Sequence, residues 1–178
     1  MTLETYLKNQ SLVSVYRDGL DSNRIQGFIL GYSEDLIFLH YVYDFRLDGL
    51  MVLRRSEISE IELSKTDKFQ KELLIKEGVF SKVDFSLKYP LTSWHDFIKY
   101  ASSKHRYFVF EEELLEEPSF VIGKVESINS EKLHVKYFTG IARWEDELSV
   151  VDLSELTSCQ ISNNYLNVYE RYFEGKNA

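Results

Sequence analysis

The sequence is short of several features that would narrow its function. It has one cysteine, Cys159, in 178 residues, so no intramolecular disulfide can form and a reducing compartment is expected. Two prolines and eight glycines are too few for a disordered chain or a long flexible linker. No apolar run approaches the about 18 residues that span a bilayer, and the N-terminus lacks the basic and apolar regions of a secretory signal. We therefore expect a cytoplasmic protein without membrane contact.

Positive charge is also scarce. The chain has 21 Lys and Arg against 29 Asp and Glu, and the net charge of −8 disfavours nucleic acid and anionic membranes as partners. Aromatic residues are abundant at 15%, which favours strands over a helical bundle. The apolar share of 44% is enough to bury a real core. The composition predicts a mainly β (α+β) protein with an acidic surface.

Motifs for catalysis, cofactor binding and metal binding are missing from the sequence. There is no Gly-x-Ser-x-Gly elbow, and the glycines are too scattered to form a phosphate-binding loop. No metal-ligand spacing links the four histidines, which are His40, His95, His105 and His134. We therefore expect neither an enzyme nor a cofactor or metal site. An enzyme with scattered catalytic residues is kept as the last of three alternatives.

The chain contains an internal repeat. "TLETYLK" at 2–8 matches "SWHDFIK" at 93–99, and "SEDLIFLHY" at 33–41 matches "SEKLHVKYF" at 130–138. "RRSEISEIEL" at 54–63 aligns with "DLSELTSCQI" at 152–161, which places Cys159 opposite Ile61 in a core position. Gly27 aligns with Gly123, and one inserted residue separates this match from the next. Seven matches in one order predict a duplication.

Each repeat reads as a short helix, about five strands and a second helix. We predict one repeat over 1–78 and the other over 93–178, packed together as a pseudo-dimer. The connector, 79–92, alternates apolar and polar residues around Val83, Phe85 and Leu87, which predicts a strand with buried aromatic side chains.

The repeated unit resembles the Sm-like small β-barrel, over residues 5–63 and 97–161. "GFILGYSEDLIFLHYV" is similar to the long bent strand pair of that family, and "GLMVLRRSEISEIEL" to its last two strands. The resemblance implies two tandem barrels. It implies RNA binding only where the pocket residues match. Arg54 matches, but Ser33 and Ile37 replace the Asp and Asn of the pocket, and Arg55 replaces its Gly. The overall pattern is also similar to uncharacterised bacterial proteins.

The interpretation that we favour is a non-catalytic module that binds protein, with RNA or single-stranded nucleic acid as the alternative. The chain is expected to be a monomeric pseudo-dimer or a homo-oligomer joined through open sheet edges. The acidic run at 111–117 is either a docking surface for a basic partner or, more simply, a solvated turn. Aromatic and basic side chains able to stack on a ligand give the binding candidates, Tyr41, Tyr43, Arg46, Arg54 and Arg55.

Overall fold

The computed structural model describes residues 2–20 and 22–176, and in them the chain forms four α-helices and ten β-strands. The first half comprises α1 (Leu3–Lys8), β1 (Leu12–Tyr16), β2 (Ile25–Tyr32), β3 (Leu36–Tyr43), β4 (Arg46–Arg54), β5 (Glu60–Glu62) and α2 (Lys65–Lys76). The second half comprises α3 (Trp94–Ser102), β6 (Phe108–Glu112), β7 (Ser119–Ile128), β8 (Lys132–Phe138), β9 (Trp144–Asp152), β10 (Ser158–Ile161) and α4 (Asn164–Lys176). The prediction of a mainly β chain is confirmed.

All ten strands belong to one antiparallel sheet, in the order β5-β1-β2-β3-β4-β10-β6-β7-β8-β9. The sheet is open, whereas the sequence predicted two separate barrels. The two halves meet where Leu50–Leu53 of β4 pairs with Ser158–Ile161 of β10. Each half therefore uses an edge strand to extend the sheet into the other half, since an unpaired strand edge gains hydrogen bonds from any strand that reaches it.

The strand order within each half is the same, five strands against five. Gly27 of β2 pairs with Tyr41, and Gly123 of β7 pairs with Tyr137; the register shifts two residues later in both cases. At each glycine an added Cβ would lie within 3 Å of a carbonyl oxygen on the next strand, 2.8 Å at Gly27 and 2.1 Å at Gly123. Both positions therefore require glycine.

The turn before the third strand of each half corrects our alignment by one residue. The Ser33 side chain accepts the backbone N–H of Leu36 at 3.0 Å, and the Asn129 side chain accepts that of Lys132 at 2.7 Å. Asn129, rather than Ser130, therefore corresponds to Ser33, and no inserted residue is needed. The residue whose side chain accepts the hydrogen bond of the turn identifies the equivalent position in each half more reliably than the shared Ser-Glu dipeptide does.

The connector at 79–92 does not form the predicted strand. It contains a 3₁₀ turn at Phe80–Lys82, and the Asp84 carboxylate then accepts the backbone N–H of Ser86 at 2.9 Å. Its aromatic side chains were predicted to be buried, and they are partly buried: Phe80 and Phe85 pack edge-on against Phe28 of β2 at 5.5 and 5.9 Å. Successive tight turns direct these two rings towards the sheet and the polar residues between them towards solvent. The connector therefore alternates apolar and polar residues although it is not a strand.

Helix boundaries follow ordinary capping chemistry. Thr2 and Ser93 cap α1 and α3, and Ser64 forms a capping box with Asp67 at the start of α2. Asp67 is fully buried, and its carboxylate also accepts hydrogen bonds from Ser14 at 2.7 Å and Gln26 at 2.8 Å. Burial alone would raise the pKa of Asp67, but these hydrogen bonds lower it. They attach α2 to the first two strands.

The sheet is strongly curled, as one ion pair shows. Arg17, at the end of β1, donates two hydrogen bonds to Glu113, just after β6, at 2.6 and 2.9 Å. These strands are five places apart in the sheet order. Only curvature can bring their ends together. In the part of the chain that is described, no helix is long and apolar enough to cross a bilayer.

Candidate protein-interaction edge

Strand β9 forms one edge of the sheet, and β5 forms the other. β9 is nine residues long, whereas β5 has only three. Among the described residues, β9 is paired on one side only, with β8. Leu148 and Val150 are 43% and 51% exposed on this edge. Long edges with exposed apolar side chains are templates for another strand.

The main chain of β9 directs free hydrogen-bonding groups outward. The Asp152 N–H points away from β8, since it donates to the Glu112 carboxylate of β6 at 2.9 Å. Alternate residues of an antiparallel strand point their main-chain groups to the same side, so those of Val150 and Leu148 also point outward. Glu112 covers the end of the edge at Asp152. The part available to a partner therefore ends at Val151.

The surface beside this edge is polar and partly basic. Lys136 and Leu148 are paired neighbours, as are His134 and Val150. The His134 Nδ1 lies 3.2 Å from the Ser127 hydroxyl. The side chains of His134 and Lys136 are half-buried, and those of Leu148 and Val150 are exposed. An approaching chain would meet little steric obstruction here.

The start of β9 is anchored by aromatic packing. Trp144 stacks on Phe173 of α4 at 4.8 Å between ring centres, and Lys124 Nζ lies 4.9 Å from the Trp144 ring. The strand bulges between Trp144 and Leu148. Glu145, Asp146 and Glu147 lie in this bulge and are exposed. The edge therefore combines an acidic bulge with an apolar, regular end.

The acidic run at 111–117 is mostly structural at its start. Burial raises the pKa of Glu111, whose carboxylate accepts a hydrogen bond from the Ser158 hydroxyl. Glu112 is buried, and Glu113 binds Arg17 and the Thr157 hydroxyl, the latter at 2.6 Å. Glu116 and Glu117 are exposed. The simple description of this run as a solvated turn therefore applies only to its end.

The five predicted binding residues fall into two separate groups. Tyr41, Tyr43 and Arg46 lie around the β3–β4 hairpin, where the two tyrosine rings are 6.3 Å apart and Tyr43 is 58% exposed. Arg54 and Arg55 lie at the far end of β4, about 26 Å away along an extended strand. The five residues therefore do not form a single patch.

Arg54 and Arg55 line a cleft of about 620 Å³, together with Trp94 at the start of α3. Arg54 donates to the carbonyl of Ser154 at 2.5 Å, and Arg55 donates to that of Ser33. The exposed Glu34 and Asp35 also line this cleft, opposing a bound anion. The ring nitrogen of Trp94 is buried, and no described residue accepts its proton. The arginines chiefly hold loops together.

One hydrogen-bonded row joins a serine and a histidine but has a tyrosine where a catalytic triad has its carboxylate. His105 Nε2 lies 2.7 Å from the Tyr89 hydroxyl, and its Nδ1 lies 3.0 Å from the Ser162 hydroxyl. Burial lowers the pKa of His105, which favours the neutral ring. The nearby N–H of Asn164 donates to Asp48 at 2.6 Å and is not free to stabilise an oxyanion. The row joins the connector, the α3–β6 loop and the β10–α4 loop.

Other reactive groups are equally constrained. Cys159 is fully buried, and burial raises its pKa well above the ordinary value, which opposes thiolate chemistry. Within residues 2–20 and 22–176, no three His, Cys, Asp or Glu side chains converge on a point that could hold a metal ion. Burial also lowers the pKa of His40, which favours its neutral form.

Leu148 and Val150 were not among the residues predicted from the sequence. Their alternation indicates a strand, but nothing in it distinguishes an edge strand from an internal one. The corresponding residues of the first half are Leu50 and Val52, which are buried. Comparison with known protein families, with curated proteins and with solved structures finds no match for this chain.

Proposed function

We propose that the protein is a non-catalytic interaction module that binds another polypeptide by adding a strand to β9. The observation that carries this proposal is the outer edge of β9, unpaired among the described residues, with Leu148 and Val150 exposed along it. Strand addition provides main-chain hydrogen bonds, and alternate side chains provide selectivity. Both elements are available on this edge.

The first half of the molecule supports the proposal because its corresponding edge is already occupied. There β4 pairs with β10, and Leu50 and Val52 are buried. In the second half, Leu148 and Val150 occupy the corresponding places next to β8. The chain thus provides a strand to one half and leaves the same position in the other half available.

The edge also indicates the chemistry of the partner. An extended segment with two apolar residues in alternate positions would cover Leu148 and Val150. Basic residues next to that segment would lie beside the acidic bulge at Glu145, Asp146 and Glu147. Charge complementarity of this kind speeds association and fixes register.

The origin of the fold belongs to the same proposal. Two copies of an Sm-like unit, joined by the connector, account for the repeated strand order and for the matching turns at Ser33 and Asn129. A buried thiol at Cys159 suits the reducing cytoplasm, where we place the protein. RNA binding is less well supported, since Arg54 and Arg55 are engaged by main-chain carbonyls.

The experiment is affinity capture from the native cell with three baits: the wild type, Val150→Lys and Ile141→Lys. Ile141 is 69% exposed in the β8–β9 turn and lies outside β9, so its variant controls for a lost apolar residue and a gained charge. Mass spectrometry and RNA sequencing identify what elutes, and untagged copies of the chain are scored separately from other proteins. We expect a protein that elutes with wild type and Ile141→Lys, and at least tenfold less with Val150→Lys.

Two outcomes would contradict the proposal. Identical protein sets from all three baits would show that β9 is not the binding edge. Recovery of RNA instead of protein would favour the nucleic-acid alternative, which fluorescence anisotropy with oligo-U at about 150 mM salt would then measure directly.

A further inference from the structure

We propose that the strand which completes β9 is β5 of a second copy of this chain, in a register that the molecule already displays internally. The inference rests on the proposed function, since it names the partner of the same edge. It predicts that Val150 lies opposite Ile61 of the next copy, and Leu148 opposite Leu63.

The internal junction between the halves is the template. In it Val52 of β4 pairs with Cys159 of β10, and Leu50 pairs with Ile161. All four side chains belong to one apolar cluster. A junction of this design therefore combines antiparallel main-chain pairing with a shared apolar face on one side of the sheet.

Each member of that junction has a counterpart at an edge that no described strand occupies; on β5 the Ile61 carbonyl accepts a hydrogen bond from the Tyr6 hydroxyl, at 3.4 Å, and a carbonyl oxygen can accept a second hydrogen bond. Cys159 pairs with Phe110 of β6, as Ile61 pairs with Val15 of β1. β5 and β10 therefore occupy the same place in their halves, and so do β9 and β4. The molecule carries one completed junction and, at its two ends, the separate parts of a second.

The β5 edge has the surface that such a junction needs. Cys159 is fully buried in β10, whereas Ile61 and Leu63 at the corresponding edge are only partly buried. A groove of about 280 Å³ opens beside them, lined by Leu3 of α1 and by Ile58 as well as Ile61. Val150 of a neighbouring copy would fill this groove. Covering exposed apolar surface on both partners would drive the association.

Charge supports the same direction of pairing. With Leu63 opposite Leu148, the antiparallel register runs the acidic bulge at 145–147 alongside the beginning of α2. Lys65 and Lys68 are exposed there. The pairing therefore places two lysines near three carboxylates. If the two strands ran parallel instead, the lysines would lie away from the bulge.

The consequence is head-to-tail assembly. β9 of one copy binds β5 of the next, so an open assembly keeps one unoccupied β5 at one end and one unoccupied β9 at the other until it closes on itself. Light scattering during size-exclusion chromatography, at loading concentrations up to about 100 μM, a range that detects contacts of micromolar affinity, should give a mass above the 21.0 kDa of one chain. Val150→Lys should return the mass to one chain, and Ile141→Lys should leave the assembly unchanged.

The register is tested by cysteine pairs under mild oxidation. Paired residues of an antiparallel sheet have Cα atoms about 4.5–5.5 Å apart, within the range that a disulfide spans. Ile61→Cys with Val150→Cys should give chain-to-chain multimers on a non-reducing gel, at least fivefold more than Ile61→Cys with Ile141→Cys. Cys159 is buried and does not take part. Far-ultraviolet circular dichroism confirms that each variant is folded.

A wild-type chain that remains at one-chain mass throughout, or equal cross-linking of the two cysteine pairs, would overturn the inference. The proposed function would survive that result if Val150→Lys still abolished capture of a different protein. If both experiments failed, β9 would bind neither a different protein nor a second copy of this chain.

Discussion

In the first half of the sheet, Phe38 and Val52 lie beneath the connector and α3, with the Phe38 ring 5.1 Å from Tyr89 and 6.1 Å from Phe97. At the corresponding places of the second half, His134 is half-buried and Val150 is exposed. The two halves share a strand order and differ in what covers the same face. The connector occurs once, so only one of the two faces can be covered from within the chain.

The comparison extends to the ends of the first strand in each half. Arg17 follows β1, and Glu112 occupies the corresponding place at the end of β6; both are buried. Arg17 reaches across the curled sheet to Glu113, whereas Glu112 caps an N–H of its own half. Arg17 therefore connects the two halves, whereas the equivalent Glu112 connects two strands of the second half only.

The largest expected effect comes from Arg17→Ala. The substitution leaves the Glu113 carboxylate without its bidentate partner. Loss of one member of a fully buried ion pair costs about 3–5 kcal/mol, and because Glu113 is 22% exposed we expect a loss at the lower end of that range. Urea unfolding followed by circular dichroism measures the change. Arg106→Ala is the matched control, since Arg106 and Glu174 are 50% and 58% exposed and such pairs contribute less than about 1 kcal/mol. Equal losses would show that Arg17 does not join the halves.

The connector is tested by Phe85→Asp. A carboxylate there would replace a partly buried ring that packs against Phe28 and Phe80, and we expect the free energy of unfolding to fall by about 2–3 kcal/mol. Phe69→Asp, at a 57% exposed site on α2, should change it by less than about 1 kcal/mol. Thermal melts provide the measurement. A Phe85→Asp protein that melts with the wild type would mean that the connector only tethers the halves.

The smallest effect concerns two half-buried histidines, His40 in β3 and His105 before β6. Burial lowers both pKa values below the ordinary 6.5, so the unfolded chain takes up these protons at a higher pH than the folded chain. Their contribution to stability is complete above pH 6.5 and is lost as the pH falls from 6.5 towards the lowered pKa values. The free energy of unfolding should therefore decrease over that window.

His105→Gln should flatten this decrease without removing it, since His40 continues to titrate. The replacement retains polar atoms near Tyr89 and Ser162, so the fold is preserved for the comparison. Urea unfolding of both proteins at pH 7.5 and pH 5.5, on either side of the ordinary histidine pKa of about 6.5, provides the test. If the free energy of unfolding of both proteins fell equally between the two pH values, the pH dependence would arise from groups other than His105.

Sequence patterns located most elements of this fold. Hydroxyl caps and apolar spacing marked α1 and α3, and the repeated pattern predicted about five strands in each half, as the structure has them, although the segment that forms β9 was not identified. The connector was misread because Phe85 and Leu87 alternate with polar residues in both a strand and a series of turns. The alignment of Ser33 with Ser130 was wrong because an Asn side chain closes the same turn as a Ser.

The candidate site was less accessible from sequence. Tyr41 and Tyr43 were chosen for their type, and one of them is exposed, but the arginines chosen with them are divided between the two ends of β4. Leu148 and Val150 were overlooked, because a strand at the edge of a sheet and one in its middle share the same local pattern.

The sequence by itself determined the elements, their alternation and the repeated pattern, because capping, periodicity and turn chemistry act over a few neighbouring residues. Only the tertiary structure decided that β4 pairs with β10, that the connector covers one half, and that β9 is an edge. Those outcomes depend on contacts between residues about one hundred positions apart, such as Arg54 with Ser154. Main-chain hydrogen bonds are the same for every strand, so the choice of partner strand depends on packing of the whole sheet.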